Sequence, residues 1–596
     1  MTAEEIKSGG LVSSTIEVEG SAIPGIYQVY SILVEKSVNR IGRAVIVILD
    51  GDAAQESFPA SASDVFVPGN KISIEAGYDA KTKLIFSGIV TKQSLRVDDD
   101  IGSALEVECK DEAVKMTIGR KSASFTNKTD SEVIESIISS YGLLSEVDST
   151  DATLPLLQQY YTSDWDFMLT RAEVNSLLVK TLNGKVSVFS PIEKTDSVLS
   201  ITYGDNLYRF NADLDSLTQL GEVKASAWDF KTQELISSEE STSLAGAGNL
   251  SSHTLSKVVG LSDFQLQTSA ALDRSNLTNW AKAQILKSEL SKIVGDVEFQ
   301  GSSLVEPSSY ITLKGLGARF DGKHFVSSVT HDISAGNWFT TASIGLSANW
   351  FIQEPDVVAP LAAGLLPGVQ GLYNATVKKL YEDPDSEFRI LIDLPLFDPH
   401  GEGVWARLTN FYSTDGAGAF FLPEVGDEVM VGFLNSDPRY PVILGSLYSS
   451  KIKPFSELSP EEGNPLKAIV SKSQLRVVFD DKNKVLTLIT PGKNQMIFDD
   501  KKGQISIKDQ NENSIVMSSD GITIKSPKEI KIEADQNIKI SGDTGIKVTA
   551  SEGDVETSGA NIKETADTEY SAEAGETISI EASAKISINA AMVAIN

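Results

Sequence analysis

Cysteine is all but missing. Cys109 is the single one in 596 residues, so no disulfide can close within the chain. Its place in Leu105-Glu106-Val107-Glu108-Cys109 suits a small buried residue of a strand, and a reducing cytoplasm is the expected folding compartment. Long apolar runs are also missing. Ala44-Val45-Ile46-Val47-Ile48-Leu49 is among the longest, far short of the roughly 18 residues that suggest a membrane span. Met1-Thr2-Ala3-Glu4-Glu5 has neither a basic n-region nor an apolar h-region, so no signal peptide is expected. Positive charge is scarce: 52 Lys and Arg stand against 82 Asp and Glu, a net charge of -30. That excludes nucleic-acid or anionic-lipid binding through a general basic surface, and solubility is its plain reading.

Catalytic signatures are absent in the same way. The four histidines, His253, His324, His331 and His400, begin no HExxH motif, and no Cys/His spacing suits zinc. They are expected to be structural or exposed. There is no GxxxxGK[ST] phosphate loop and no GxSxG elbow. Carboxylates are many, but their proximity is not written in a sequence, so no glycosidase pair can be nominated. The expectation is no catalytic residue, no cofactor and no metal.

What is present is strand pattern. Residues 1–120 carry short alternating runs such as Lys71-Ile72-Ser73-Ile74-Glu75, separated by turn residues, and predict a first β-barrel. Residues 121–200 predict an α+β domain. Val133, Ile134, Ile137 and Ile138 mark one helix face, capped by Asp130 or Ser131 and ended by Gly142. Ser163 caps a second helix whose first turn holds Asp164 and Asp166. Trp165 and Phe167 there suit core packing better than docking. Residues 201–355 predict a second barrel with a helical insertion, a helix from 277 to 293 with Trp280, Ala283, Ile285, Leu286 and Leu290 inward. The run Pro68-Gly69, Ile72, Ile74, Gly77, Phe86, Gly88, Val90 is echoed by Pro307, Ile311, Leu313, Gly315, Phe320, Gly322, Val326, which suggests two related barrels. Residues 356–370 and 451–470 read as linkers around a compact β unit at 371–450.

Residues 471–596 are repetitive. Ile522/Ile524, Ile530/Ile532, Ile538/Ile540 and Ile546/Val548 recur every eight residues, fade, and return at Ile578/Ile580 and Ile586/Ile588. A longer spacing precedes them at Leu486/Leu488, Ile505/Ile507 and Ile515/Met517. Phe479-Asp480-Asp481-Lys482 is echoed by Phe498-Asp499-Asp500-Lys501. Each triplet is a strand with one apolar face, and five polar or small residues turn the corner. One octad cannot bury its face alone, so repeats must stack. Eight residues fit no helix and fall short of one turn of most single-chain solenoids. Three chains wound into a triangular prism solve this: the apolar faces meet on the axis and the strand edges pair between chains. Ten octads would give a rod about 50 Å long at about 4.8 Å per strand.

Three ordered segments carry a family resemblance. Gln158-Gln159-Tyr160-Tyr161-Thr162-Ser163-Asp164-Trp165-Asp166-Phe167-Met168-Leu169-Thr170-Arg171-Ala172-Glu173 resembles the signature of VgrG proteins and related phage baseplate hubs. Gly322-Lys323-His324-Phe325-Val326-Ser327-Ser328-Val329-Thr330-His331, followed by Trp338-Phe339-Thr340-Thr341, is similar to that family's second barrel. Trp405-Ala406-Arg407-Leu408, Leu422-Pro423-Glu424-Val425-Gly426-Asp427-Glu428-Val429-Met430-Val431-Gly432-Phe433 and Asp437-Pro438-Arg439-Tyr440-Pro441-Val442-Ile443-Leu444-Gly445-Ser446-Leu447-Tyr448 resemble the OB-fold domain at the base of such spikes.

The resemblance implies a mainly β chain: two hub β-barrels with small α+β insertions, an OB-fold collar and a C-terminal intertwined trimeric β-helix needle. It implies a homotrimeric spike and hub of a contractile injection system, made in the cytoplasm and delivered outward. Its partners would be a hexameric inner-tube protein, baseplate proteins and a PAAR-type tip protein, with effectors as a further cargo. The apolar run Met592, Val593 and Ile595 is the candidate tip-docking surface. A type VI system, an extracellular contractile particle and a phage tail stay open. So do two alternatives, a spike with cell-wall hydrolase activity and a trimeric receptor-binding fibre. Only about 15 residues separate the OB-like unit from the repeats, and the repeats run to Ala594-Ile595-Asn596, which leaves no place for a catalytic domain. The OB-like unit has Arg389, Arg407 and Arg439 but no basic cluster with interleaved aromatics, so nucleic acid is not an expected partner.

Overall fold

A computed structural model describes residues 10–99, 102–458 and 460–595; Met1-Thr2-Ala3-Glu4-Glu5 and Asn596 lie outside them. The protein is mainly β and divides into two compact units, Met1–Leu447 and Tyr448–Asn596. No helix among the described residues is long and apolar enough to cross a membrane.

Thirteen strands of the first unit form one sheet. Leu207–Leu214 is one edge, followed in space by Ile293–Gln300, Asn337–Ile344, Gly322–Ser334, Gln28–Ser37, Arg43–Leu49, Gly102–Lys110, Lys81–Asp98, Lys71–Tyr78, Val12–Val18 and the two-residue Ser21–Ala22. Tyr310–Lys314 pairs with Gly322–Ser334 and with Ser197–Thr202. Period-2 alternation puts two separate cores on this sheet. Ile32, Ile46, Ile74 and Leu105 belong to the first, and Leu199, Val297, Phe299 and Ile311 to the second. The two lobes are not independent sheets: Gln28–Ser37 runs antiparallel to Gly322–Ser334 from Ser31↔Ser334 to Ser37↔Ser328. The two echoed sequence segments are both hairpins, with Ile74 opposite Phe86 and Leu313 opposite Gly322.

The seam between the lobes holds buried polar groups. Lys36 is buried, its Nζ 2.6 Å from Glu306 Oε2. His331 is fully buried with Nδ1 3.0 Å from Thr340 Oγ1. Trp338 belongs to a strand of the second lobe but packs in the first lobe's core, stacked on Tyr78 at 5.4 Å. Gly301 makes that possible, because a Cβ there would lie 2.1 Å from the Trp338 ring.

An α+β layer and an insertion flank the sheet. Helix Asp130–Ser140 is capped by Thr129, in a capping box with Glu132, rather than by Asp130 or Ser131. Asp130 is occupied instead by Arg171, at 2.7 and 2.8 Å. Helix Asp164–Val174 is capped by Ser163. The insertion lays Glu222–Asp229, Glu234–Ser241 and Phe264–Thr268 against helix Arg274–Leu290 around Val223, Ala225, Leu277 and Ile285. That helix starts after the Asp273 cap and stops at Leu290; Ile293, read as helical from its apolar spacing, opens a strand. Helix Ser252–Val259 has no counterpart in the sequence reading. A separate closed barrel is built of Tyr373–Lys379, Ile390–Asp393, Val404–Leu408, Pro441–Ser446 and Glu428–Phe433 around Val377, Ile392, Val431 and Ile443.

The second unit is a seven-stranded antiparallel meander from Leu466–Val470 to Gly521–Lys525, each strand paired with the next in sequence. It begins inside the 451–470 segment read as linker. Its strands pair within the chain, so the interchain pairing expected for residues 471–525 is replaced there by a local ladder. Short turns bring consecutive strands together before any second chain is needed. The repeated Phe-Asp-Asp-Lys string marks two of these turns, where Asp480 Oδ1 accepts from Asn483 N at 3.0 Å and Asp499 Oδ1 from Lys502 N at 2.9 Å. From 526 to 595 no strand pairs within the chain.

The seam sets two expected outcomes. Glu306→Gln leaves Lys36 buried without a counter-charge and should cost about 3–5 kcal/mol. Calorimetry on the hub transition checks this, and Lys36→Met with Glu306→Leu should recover most of the loss. Burial, reinforced by the Lys36 charge, holds His331 well below the ordinary histidine pKa. Its neutral form therefore contributes stability that is complete above about pH 6.5 and is lost as pH falls below that value. The hub melting temperature should fall between pH 7.5 and 5.5, and fall less in His331→Gln. An identical slope in both proteins would contradict this assignment.

Candidate assembly surfaces

Residues opposite each other in an antiparallel ladder share a face. In the meander, Val477 and Phe479 lie opposite Leu488 and Leu486. Those two lie opposite Met496 and Phe498, which face Ile507 and Ile505. Next come Ile515 and Met517, then Ile524 and Ile522. One face of the sheet is thus apolar without a break across six strands. The opposite face mixes Val478, Thr487, Ile497, Ser506, Val516 and Thr523 with charged rims at Asp480, Asp499, Lys508 and Lys525.

The unit itself does not cover this apolar face. Phe479, Leu488, Ile507 and Met517 are exposed, and Ile522 is 69% exposed. A soluble protein rarely leaves so large an apolar area open unless something docks on it. The face also continues: Ile522/Ile524 is at once the last row of the meander and the first of the octad pairs. Ile530, Ile532, Ile538, Ile540, Ile546, Val548, Ile578, Ile580, Ile586 and Ile588 are all exposed in the single chain. Met592 and Ile595 are 85% and 90% exposed, and Val593 is exposed too.

Elsewhere the conspicuous side chains are internal. Trp165 and Phe167 are buried with Val133, Ile134 and Met168. The residues around them form a closed polar network: Asp164 takes Lys121 Nζ at 2.5 Å, the Tyr141 hydroxyl at 2.6 Å and Gln159 Nε2 at 2.9 Å. Burial opposes the charge of Asp164, yet these donors hold its carboxyl below the usual range. The 158–173 segment therefore clamps strand Thr153–Thr162 to a helix N-terminus. His324 is buried with Nε2 2.7 Å from Phe320 O, while His253 and His400 are exposed. Cys109 is fully buried, and burial pushes its thiol up to about 12. In the closed barrel unit, Arg389 is paired with Asp383 at 2.5 Å and with Asp385, and Arg439 with Asp437 at 2.7 Å. Gly426, at φ +93°, forms the turn before Glu428–Phe433. Among the described residues no group of three or more His, Cys, Asp or Glu is placed to hold a metal.

The chain has relatives. A family model described as the type VI secretion system/phage-baseplate injector OB domain matches residues 373–448, the closed five-stranded barrel. The type VI secretion system spike protein VgrG1b of Pseudomonas aeruginosa is 26% identical over 107 residues, 17% of this chain and 14% of that protein. The match thus spans about a seventh of that relative's length. Among solved structures, the 43 kDa tail protein of prophage MuSo2 from Shewanella oneidensis aligns at 10% identity and a TM-score of 0.43, over 56% of this chain and 99% of its own. The E. coli c3393 protein, a component of the type VI secretion system, aligns at 14% identity and a TM-score of 0.36, over 72% and 99%. The Francisella PdpA-VgrG complex, half-lidded, aligns at 10% and 0.38, over 88% and 89%. The relatives are thus spike, baseplate and tail proteins. A further family model, described as the Alg8 N-terminal domain, matches residues 8–335 and takes in twelve of the thirteen strands of the large sheet. With more than half of its residues inside that match, the chain belongs to the Alg8 N-terminal domain family.

Proposed function

We propose that this chain is the homotrimeric spike and hub of a contractile, phage-tail-like injection machine. In this reading the two lobes cap the inner tube, the OB barrel forms a collar and the C-terminal repeats build the needle that punctures the target envelope. The observation that carries the proposal is the unbroken apolar face of the meander, open in one chain and continuous with the octad pairs. Three copies would bring three such faces together around an axis. Beyond 525 they would supply to one another the strand partners that the single chain lacks. Burial of Ile and Leu is worth about 1.5–3 kcal/mol per side chain, so a core repeated along a rod binds its chains firmly.

The same reading makes the chain a structural and delivery protein rather than an enzyme. Its resemblance to spike proteins supports this. So does the internal role of the polar residues that stand out in the sequence, Asp130, Asp164, His324 and His331. A receptor-binding fibre would share the needle but has no use for the 158–173 clamp and the two-lobed sheet.

Light scattering on the purified chain should give three times the mass of one chain. Ile538→Asp would set three carboxylates near the axis and should abolish assembly. A monodisperse wild-type monomer would sink the trimeric needle. We also propose that Met592, Val593 and Ile595 from three chains form an apolar triangle that docks a separate PAAR-type tip protein. Deleting residues 590–596 should leave the trimer intact and remove tip binding in a pull-down. Full tip binding by the shortened trimer would place that surface elsewhere.

A further inference from the structure

A half-enclosed cavity of about 230 Å³ lies where the insertion meets the second lobe. Three parts of the chain wall it. Strands Tyr310–Lys314 and Gly322–Ser334 supply Tyr310, His324 and Phe325. Helix Arg274–Leu290 and the turn after it supply Glu289 and Lys292. The loop from 242 to 250 supplies Leu244 and Ala247. Two charged side chains tie that loop down. Glu289 Oε1 accepts from Thr242 Oγ1 at 2.5 Å and from the backbone N–H groups of Ser243 and Leu244, each at 2.7 Å. Lys292 Nζ donates to Ala245 O at 3.0 Å and to Leu250 O at 3.1 Å. Gly246, at φ +60°, lets the loop pass, because a Cβ there would lie 2.7 Å from Lys292 Nζ.

The charges around this cavity do not balance. Lys292 is only 3% exposed, yet its partners are two neutral carbonyls, and it makes no ion pair among the described residues. Lys36, just as deeply buried, has Glu306 at 2.6 Å. A buried charge is ordinarily paired, because desolvation costs it several kcal/mol otherwise. Burial accordingly lowers the Lys292 pKa from the ordinary lysine value, against the pull of Glu289. Glu289 is itself occupied by the three donors of the loop. A second ammonium stands at the rim: Lys323 is exposed, donates to Thr195 O at 3.2 Å and makes no ion pair among the described residues. His324 adds no charge. Its Nε2 faces the Phe320 carbonyl, which only accepts, so Nε2 carries the hydrogen of a neutral ring. The rest of the wall is largely apolar, with Leu244, Ile293 and Phe325.

We propose that this cavity binds a small organic anion, a carboxylate carried on a compact apolar body. The carboxylate would give Lys292 the counter-charge it lacks, and Lys323 at the rim would favour its entry. The apolar body would cover Leu244, Ile293 and Phe325. A cavity of about 150 Å³ is enough for benzene, so this one has room for an aromatic ring and a carboxylate. A neutral molecule would leave Lys292 unpaired, and a bare inorganic anion would leave the apolar wall uncovered. The site is complete within one chain and does not rest on the trimeric reading.

Fluorine NMR on the full chain tests it with two probes, 4-fluorobenzoate and its neutral counterpart 4-fluorobenzamide. The benzoate should bind saturably, and the amide at least about tenfold more weakly, as the loss of a charged hydrogen bond requires. Lys292→Met should weaken the benzoate by a similar factor, and Lys323→Gln by a few-fold. Leu244→Trp fills the cavity while keeping both lysines, and should abolish binding. Equal binding of the two probes, no saturable binding by the wild-type chain, or full binding by Leu244→Trp would each overturn the site. Displacement of the benzoate by an equal concentration of inorganic phosphate would overturn the apolar part of the assignment. If Lys292→Met loses its circular dichroism spectrum, the amide and Leu244→Trp decide the matter. Light scattering should read the same mass for every folded variant, so a failure of this site and a failure of the spike reading are told apart.

Discussion

A β-strand has two edges and two faces, and a chain that repeats one short strand many times multiplies the need to cover all four. The C-terminal quarter of this protein is shaped by that need. In the meander the edges are met within the chain, because each strand turns back on the one before it. The apolar face is not met, and Phe479, Leu488, Ile507 and Met517 stay open. Beyond 525 neither faces nor edges are met, and residues 526–595 form no strand pair in their own chain. The further along the unit one goes, the less of its backbone and apolar surface is covered within its own chain.

The hub answers the same need differently. Its thirteen strands curl around two cores, so the inward apolar faces find cover inside the unit, and the pairing of Gln28–Ser37 with Gly322–Ser334 joins the lobes into one body. The seam tolerates Lys36 because Glu306 sits 2.6 Å away. It tolerates His331 because the ring stays neutral and shares a hydrogen bond with Thr340. The conspicuous acids of the α+β layer, Asp164 and Asp130, are used in the same way. Asp164 is surrounded by Lys121, Tyr141 and Gln159, and Asp130 by Arg171 and Asn175. Polar groups that look like chemistry in the sequence are here the fastenings of a scaffold.

Much of this was legible in the residues alone. Period-2 alternation located the strands, the 3.6-residue spacing of Val133, Ile134, Ile137 and Ile138 located a helix, and Ser163 announced the next one. Local chemistry decides such features, and neighbours in sequence carry it. The octad spacing likewise marked side chains of one apolar pattern, and these stand exposed in the single chain. Helix ends were less legible. Thr129 rather than Asp130 is the cap, because Asp130 is taken by Arg171 from 41 residues away, and Ile293 has the apolar spacing of a helix yet belongs to a strand pairing with Leu214.

Tertiary structure alone decided three things. It merged the two lobes into one sheet, since the register of Ser31 with Ser334 joins residues some 300 apart, which no local pattern encodes. It also paired the strands between 466 and 525 within the chain, although their spacing reads equally well as repeats shared among chains. The spacing of apolar residues fixes which face needs cover but is silent on which strand supplies the hydrogen bonds. Last, it left one half of the Lys81–Asp98 strand paired on both sides and the other half on one side only. An unpaired edge has no signature in composition, because backbone groups are the same at every residue and only the positions of distant strands determine which of them are left over.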